Sequence, residues 1–324
     1  MQPRRRTPLL LTAFAMAAAL LTSCTAEVAP KSAENAASPA AQINTGPDQN
    51  RIRAQKVEEI ANLVPPEIRN KGTLVVGVNG QGSPPLVFRA DDDKTVIGVE
   101  LDVAQLVADV LGLRLEVQPT SWENIFLSVR SGQHDVGFAN ITVTEERKEI
   151  YDFATYRTDT IAFLARADSP LTVKGPADIA GRTVSVSSGT NQEKILLDWD
   201  AKNKAAGLPG AKFQYYGENS ADYYLALKSG RIDLYVGPNP SLSYHATVSG
   251  DSKVVGTVAG GGEFPAEIAA TTKKDNGLVA ALAKAIDHEI ASGRYRQVLD
   301  RWHLGNEALP ASEINPPGLP KSFG

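Results

Sequence analysis

The chain has 324 residues, enough for two modest domains with hydrophobic cores of their own. Hydrophobic residues make up 42% and charged residues 22%, with a formal charge of −4, a balance that is typical of a globular protein and argues against a nucleic-acid partner. The only cysteine is Cys24, which excludes an internal disulfide.

The N-terminus has the features of an export signal. A run of three arginines, Arg4 to Arg6, precedes an apolar stretch over 9–21 that is too short to span a bilayer comfortably. The string Leu21-Thr22-Ser23-Cys24 resembles a bacterial lipobox, which is cleaved before a cysteine that then carries lipid. We expect a signal peptide over 1–23 and a lipid anchor at Cys24 that holds the protein on the extracytoplasmic face of the cell membrane. The alternatives are an inert cysteine in an ordinary signal and, because of the arginines, export by the twin-arginine route.

The two ends of the remaining chain have loop-like compositions. Residues 25–50 are rich in Ala, Ser, Pro, Asn and Gln without an apolar period, and we expect a lipidated cysteine and flexible tether over 24–65. Residues 306–324 contain several prolines and predict an irregular tail.

Between these ends, β-branched runs alternate with amphipathic stretches. The first half predicts a strand over 73–78, a helix around 103–111, a strand over 113–117, a helix over 121–129 and a strand over 135–139. The second half repeats the alternation, with strands over 183–186, 212–216 and 232–236 and helices over 191–199 and 220–228. Two helices, along 278–286 and over 295–302, close the pattern. Such an order predicts mainly parallel sheets with helices on their faces.

One short string occurs in both halves. Ser131-Gly132-Gln133-His134-Asp135 and Ser229-Gly230-Arg231-Ile232-Asp233 each stand between a predicted helix and a predicted strand. Glycine there can take the left-handed conformation that ends a helix. The shared context predicts two related lobes, and a cleft between two such lobes suits a small ligand.

Two segments could bind an anion. Arg147 stands in the first turn of a helix-like stretch that Thr144 could cap, where the helix dipole disfavours a cation unless an anion lies opposite. The alternative is a surface ion pair of Arg147 with Glu145 or Glu149. In the second segment, Thr190 has capping-box spacing to Glu193, so the loop is either an anion-binding helix start or an ordinary capped one.

From about Lys71 to Trp302 the chain resembles the family 3 bacterial extracellular solute-binding proteins, the polar amino-acid receptors of ABC importers. The resemblance rests on an ordered series of stretches: 72–78 (GTLVVGV), Pro84-Pro85, 98–104 (GVELDVA), Trp122, 131–135, 141–147 (ITVTEER), 151–154 (YDFA), 188–190 (SGT), 230–233 (GRID), and 293–295 (GRY) before Trp302.

The resemblance implies an α/β, two-lobe, periplasmic-binding-protein-like (type II) fold with a ligand cleft between the lobes. Lobe 1 would comprise 66–165 and 259–305, and lobe 2 would comprise 166–258. It further implies a monomeric, non-enzymatic protein without cofactor or metal, which closes on a small carboxylate such as an amino acid and delivers it to an ABC permease and ATPase complex.

The resemblance also implies a site. Arg147 would grip the ligand carboxylate with help from the Thr142 hydroxyl, the backbone around Asn140 would accept from the α-ammonium, and Thr190 and Asn191 would complete the carboxylate site from the other lobe.

Positions near the expected site depart from the family pattern, among them Glu267, which stands where the family often has a small residue. Ser83 stands where an aromatic residue often packs on the ligand, and Trp122 either replaces that contact or is a core residue. Pro238, with Asn239 beside it, stands where an acid usually pairs with the α-ammonium. We therefore expect Glu100 or Glu267 to supply the anion, or the ligand to lack the ammonium.

Two other functions share this fold, a dehydratase-like enzyme and a ligand-sensing receptor domain. The four histidines are scattered, without metal-ligand spacing or a neighbouring nucleophile, and Gly260-Gly261-Gly262 lacks the lysine of a P-loop. The sequence therefore favours a binding protein.

Overall fold

The computed structural model describes residues 43–80 and 82–321. The predicted signal peptide, Cys24 and the first part of the predicted tether lie outside the described residues. Within those ranges, no helix is long and apolar enough to cross a membrane.

Strands and helices alternate along most of the described chain. The strands are β1 Thr73–Asn79, β2 Phe88–Arg89, β3 Val96–Ile97, β4 Arg114–Thr120, β5 Val136–Gly137, β6 Tyr151–Thr158, β7 Thr160–Arg166, β8 Thr183–Ser185, β9 Lys212–Gln214, β10 Leu234–Pro238, β11 Ser252–Ala259 and β12 Glu267–Lys273. The helices are α1 Glu58–Ala61, α2 Pro66–Lys71, α3 Val99–Leu111, α4 Trp122–Ser131, α5 Asn191–Ala205, α6 Ser220–Lys228, α7 Asn239–Ser249, α8 Val279–Ser292 and α9 Arg294–Arg301. Short 3-10 helices lie at Arg147–Glu149, Pro176–Ile179 and Gly305–Glu307.

Two five-stranded sheets form the two lobes, which confirms the predicted two-lobe α/β fold. The first sheet has the order β4-β1-β5-β12-β6 and the second has the order β11-β7-β10-β8-β9. Strands β1, β4 and β5 run parallel, as do β8, β9 and β10, whereas β6, β7, β11 and β12 make antiparallel pairs. The interior strand β1 is buried almost throughout, as expected for a parallel strand covered on both faces.

The chain crosses between the lobes at two places. Asp159 separates β6 from β7, and residues 260–266 separate β11 from β12. The first crossover lies earlier than the predicted boundary at 165, because β7 pairs with β10 and β11 of the second sheet.

The repeated string performs the same task in both lobes. The Asp135 carboxylate accepts from Val75 N of β1 at 2.7 Å, and the Asp233 carboxylate accepts from Thr183 N of β8 at 2.8 Å. Each aspartate thus links the turn after a helix to an interior strand of its own sheet by a hydrogen bond.

The predicted tether is too long. From residue 43 onward the chain lies against the first lobe, where Arg53 makes two hydrogen bonds to Asp109 at 2.7 and 2.6 Å and Val57 N donates to Val110 O at 2.9 Å. Apolar side chains of this segment, including Ile52, pack on the first core, so burial overrides its loop-like composition.

Candidate functional site

A cavity of about 460 Å³ lies between the two lobes. Its walls come from both sheets, near the carboxyl ends of their parallel strands. Six of the predicted site residues line it, namely Ser83, Glu100, Trp122, Asn140, Thr190 and Asn191. Four do not line it, namely Thr142, Arg147, Asn239 and Glu267.

A buried ion network forms the first-lobe floor of the cavity. Arg157, on β6, donates to Glu100 Oε1 at 2.8 Å and to Asn140 Oδ1 at 2.5 Å, and it also pairs with Glu307. The three charged side chains are at most 2% exposed. Burial alone would lower the pKa of Arg157, but the carboxylates of Glu307 and Glu100 outweigh this and raise it. Glu100 and Asn140 are therefore held in fixed positions where they meet the cavity.

The hydroxyl of Thr142, which was expected to donate to the ligand, donates to a residue of the first crossover instead. Its Oγ1 donates to Asp159 Oδ2 at 2.7 Å, and Asn191 Nδ2 of the second lobe donates to the same oxygen at 2.9 Å. Asn191 also donates to Gly260 O, in the other crossover, at 2.7 Å. Burial raises the pKa of Asp159 to about 6, although the hydrogen bond from Thr142 opposes the shift. These contacts join both lobes and both crossovers at one carboxyl group.

Arg147 lies beside the cavity and bridges the lobes. Its Nη1 donates to Thr142 O at 2.9 Å and its Nη2 donates to Gly189 O of the second lobe at 3.1 Å. The guanidinium lies 5.3 Å from the ring centre of Trp122, which lines the cavity. Burial lowers the pKa of Arg147 to about 10, still well above neutrality.

The alternative of a surface ion pair for Arg147 is wrong. Glu145 pairs with Lys148 at 2.8 Å, and Glu149 pairs with Lys321. The predicted capping contact is present, since Thr144 Oγ1 accepts from Arg147 N at 3.0 Å.

The loop before α5 has the capping contacts predicted for it, and it faces the cavity. Thr190 Oγ1 accepts from Glu193 N at 3.2 Å, and Glu193 Oε2 accepts from Gly189 N at 2.7 Å. This capped start lines the cavity through Ser188, Thr190 and Asn191. The first N–H groups of a helix have no acceptor inside it, so this edge of the cavity favours an anion.

The second-lobe wall carries residues that the sequence patterns did not single out. Tyr216, Tyr223 and Tyr235 line the cavity, and the rings of Tyr223 and Tyr235 stack with centres 3.9 Å apart. Glu218 also lines it and accepts from Trp122 N, across the cleft, at 3.0 and 3.2 Å. The sequence contained a pattern that could have indicated these residues. Tyr216 and Glu218 follow a parallel strand and precede a capped helix, and ligand sites of open sheets lie at such positions.

The departures from the family pattern resolve differently. Ser83 lines the cavity and shares a 2.7 Å hydrogen bond with Ser241 across the lobes. Trp122 is half-buried and faces the cavity, with its ring edge-to-face on Phe126 at 5.0 Å, so it is not a core residue. Pro238 also lines the cavity.

Two predicted residues point elsewhere. Asn239 Oδ1 accepts from Ser243 Oγ at 2.9 Å within the first turn of α7. Glu267, at the start of β12, lies near Thr155 and Glu313, and burial raises its pKa. Neither is placed to supply an anion to the cavity.

The charge of the cavity is one-sided. Among its described lining residues, three carry carboxylates, Glu100, Glu123 and Glu218, and none is Lys, Arg or His. The cavity thus has an anion-favouring edge at the start of α5, beside Arg147, and the only charged side chains among its described lining residues are acidic.

Comparison with known proteins places this architecture in a family. The sequence model of the bacterial extracellular solute-binding proteins, family 3, matches residues 74–305. The arginine-binding protein ArgT of Corynebacterium glutamicum is 30% identical over 271 residues, which cover 82% of this chain and 85% of ArgT. The L-cystine-binding protein TcyJ of Escherichia coli K12 is 34% identical over 168 residues, 52% of this chain and 59% of TcyJ, so the aligned part is less than two thirds of that relative.

Solved structures of amino-acid-binding proteins have the same fold. An ancestral arginine-binding protein bound to arginine superposes with a TM-score of 0.62 at 27% identity, covering 72% of this chain and 98% of that one. The resemblance predicted from the ordered motifs is confirmed: this chain belongs to the bacterial extracellular solute-binding proteins, family 3.

Proposed function

We propose that the protein is the extracytoplasmic binding component of an ABC importer and that it captures an amino acid with a positively charged side chain. The observation that carries the proposal is the composition of the cavity lining, in which the described residues include three carboxylates and no basic side chain. Such a cavity attracts cations and repels acidic solutes.

Arg147 and the start of α5 would hold the ligand carboxylate. The Arg147 guanidinium donates to the neutral carbonyl oxygens of Thr142 and Gly189. A carboxylate is a stronger acceptor than a carbonyl and fits a guanidinium with two parallel hydrogen bonds. The ligand would therefore replace Gly189 O and receive further N–H groups from the first turn of α5.

Glu218 would supply the anion that Pro238 cannot. Its carboxylate lies in the second-lobe wall, accepts a backbone N–H from Trp122, and stands near the aromatic face formed by Trp122 and Tyr216. Carboxylate and aromatic rings together suit an ammonium or guanidinium group. Beneath the cavity, Glu100 and Glu307 share the single guanidinium of Arg157, so this network has a formal excess of one negative charge.

One relative and one solved structure support the class of ligand. ArgT is named as an arginine-binding protein, and the ancestral structure holds arginine. We further propose a monomer that docks on a permease and ATPase complex and is anchored to the membrane by lipid on Cys24. Radiolabelled palmitate should be incorporated by the unchanged chain and not by Cys24→Ala, whereas equal labelling would contradict the anchor.

A thermal-shift screen tests the ligand class directly. Arginine, lysine, glutamine, glutamate and their deaminated analogues are added to the purified protein, because a ligand at 100 times its dissociation constant adds about 2.7 kcal/mol of stability. We expect arginine or lysine to give the largest shift and glutamate to give none. Recovery of the ligand unchanged after long incubation would separate binding from a dehydratase-like activity.

One pair of variants tests whether the ligand found in the screen binds in the cavity. Glu218→Gln should weaken binding of the basic amino acid by about tenfold or more, because a desolvated charge pair is lost. Glu263→Gln is the matched control, since Glu263 is 75% exposed and pairs with Lys202 on the surface. Hits confined to acidic or deaminated compounds would refute the proposed ligand class.

A further inference from the structure

The C-terminal segment after the matched family region is fastened to the first lobe. We call residues 311–321 the strap. Thr155 N donates to Glu313 O at 3.1 Å and Asn315 N donates to Phe153 O at 3.0 Å, so the strap pairs with the edge strand β6. The family match ends at residue 305, so this segment lies beyond the part of the chain that the family model matches.

The strap then reaches the segment that carries Arg147. Leu319 N donates to Val143 O at 3.1 Å, and Glu145 N donates to Leu319 O at 2.9 Å. Gly318 N donates to the Glu145 carboxylate at 2.9 Å. A Cβ atom on Gly318 would lie 2.6 Å from Val143 O, so the close approach requires glycine. These contacts lie between Thr142 and Arg147 and fix the backbone of that turn.

Leu319 connects this turn to the other lobe. Its side chain is 1% exposed and belongs to a buried apolar cluster whose other buried members all lie between residues 161 and 255, in the second lobe. The backbone of Leu319 is thus paired with the first lobe while its side chain is buried in the second. Ile314, on the same strap, is 47% exposed.

We propose that the strap is a closure element and that Leu319 is a positioning residue. By joining the Arg147 turn to the second-lobe core, Leu319 stabilises the closed arrangement in which the Arg147 guanidinium reaches Gly189. The burial of its side chain depends on closure, so it shifts the equilibrium between open and closed lobes before any ligand binds. The effect on affinity, unlike the effect on closure, rests on the proposed function.

Lobe separation in the ligand-free protein tests the proposal. Spin labels are placed on exposed helix positions of the two lobes, with Leu127→Cys and Leu225→Cys in a Cys24→Ser background, and their distance is measured by pulsed electron spin resonance. Leu319→Ala should shift the distance distribution away from the closed population, whereas Ile314→Ala should leave it unchanged. An unchanged distribution in Leu319→Ala would overturn the proposal.

Two further measurements separate closure from simple destabilisation. Leu319→Met, which nearly conserves volume, should restore the closed population. With L-arginine as the probe, Leu319→Ala should weaken binding by about tenfold, because the ligand must then supply the lost closure energy. If arginine does not bind but the label distances respond, the strap stands and the proposed ligand class falls. If arginine binds to Leu319→Ala as tightly as to the unchanged protein, the strap has no role in closure.

Discussion

The two lobes present different chemistry to the same cavity. On the first lobe, Arg157 is buried between Glu100 and Glu307, and this network holds Asn140 in place from below. On the second lobe, the wall consists of tyrosine rings, the capped start of α5 and a half-buried Glu218 in a loop. The first-lobe part of the cavity is therefore held by contacts within its own lobe, whereas the second lobe also makes contacts across the cleft, such as Glu218 to Trp122 N.

The largest expected effect concerns the first-lobe network. Arg157→Met should destabilise the protein by about 3–5 kcal/mol, because two buried carboxylates lose their partner. Arg166→Met, on the neighbouring strand, removes an exposed pair with Asp168 and should cost less than about 1 kcal/mol. Denaturant unfolding measures the free energy of unfolding of both variants. Equal losses of stability would show that the buried network contributes no more than an exposed ion pair.

The next effect concerns the bridge between the lobes. Arg147→Ala should lower affinity for the proposed basic amino acid by about 3 kcal/mol, since it would remove the bidentate contact that we propose to the ligand carboxylate. Arg130→Ala, in the last turn of α4 and exposed, serves as the control. Titration calorimetry measures both, and unchanged affinity in Arg147→Ala would remove it from the site.

Asp159, at the crossover between the lobes, gives a pH-dependent prediction. Its pKa is raised from 3.8 to about 6 in the folded state, so the stability it contributes is fully present below about pH 4 and is lost as the pH rises through 6. The free energy of unfolding of Asp159→Asn, relative to that of the unchanged protein, should therefore rise by up to about 3 kcal/mol between pH 4 and pH 7. Urea unfolding across this range measures it, and a pH-independent difference would contradict the assignment.

The smallest effect compares the repeated turn in the two lobes. Asp135 is buried and also accepts two hydrogen bonds from Lys71 Nζ, whereas Asp233 is exposed. Asp135→Ala should cost about 2 kcal/mol and Asp233→Ala about 0.5–1 kcal/mol, because leaving a buried N–H unpaired is costlier than leaving an exposed one. Thermal unfolding of both variants checks the order, and a reversed order would contradict it.

The sequence predicted those parts of the fold that depend on local signals. The strand at 73–78, the helix at 220–228 and the left-handed glycine at Gly132 that ends a helix all appear close to the predicted positions. The strands β6, β7, β11 and β12 were not assigned from the pattern, because their antiparallel pairing joins residues far apart in the chain.

The site was predicted less completely, for the same reason. Arg157 and Glu307 are 150 positions apart, and no spacing rule connects them. Glu218 faces the cavity only because the lobes meet, so its loop looked like any polar turn. Of the two acids considered for the cavity, Glu100 lines it and Glu267 does not, because a position in the family pattern carries no information about which way a side chain points in this chain.

The central claim is that the cavity selects a positive charge, and two nearly isosteric ligands test it most directly. L-arginine and L-citrulline differ mainly in the charge of the side-chain terminus, so calorimetric titration of the protein with each isolates that charge. The account predicts that arginine binds at least about tenfold more tightly than citrulline, as expected for a desolvated charge pair with Glu218. Equal or tighter binding of citrulline would contradict it.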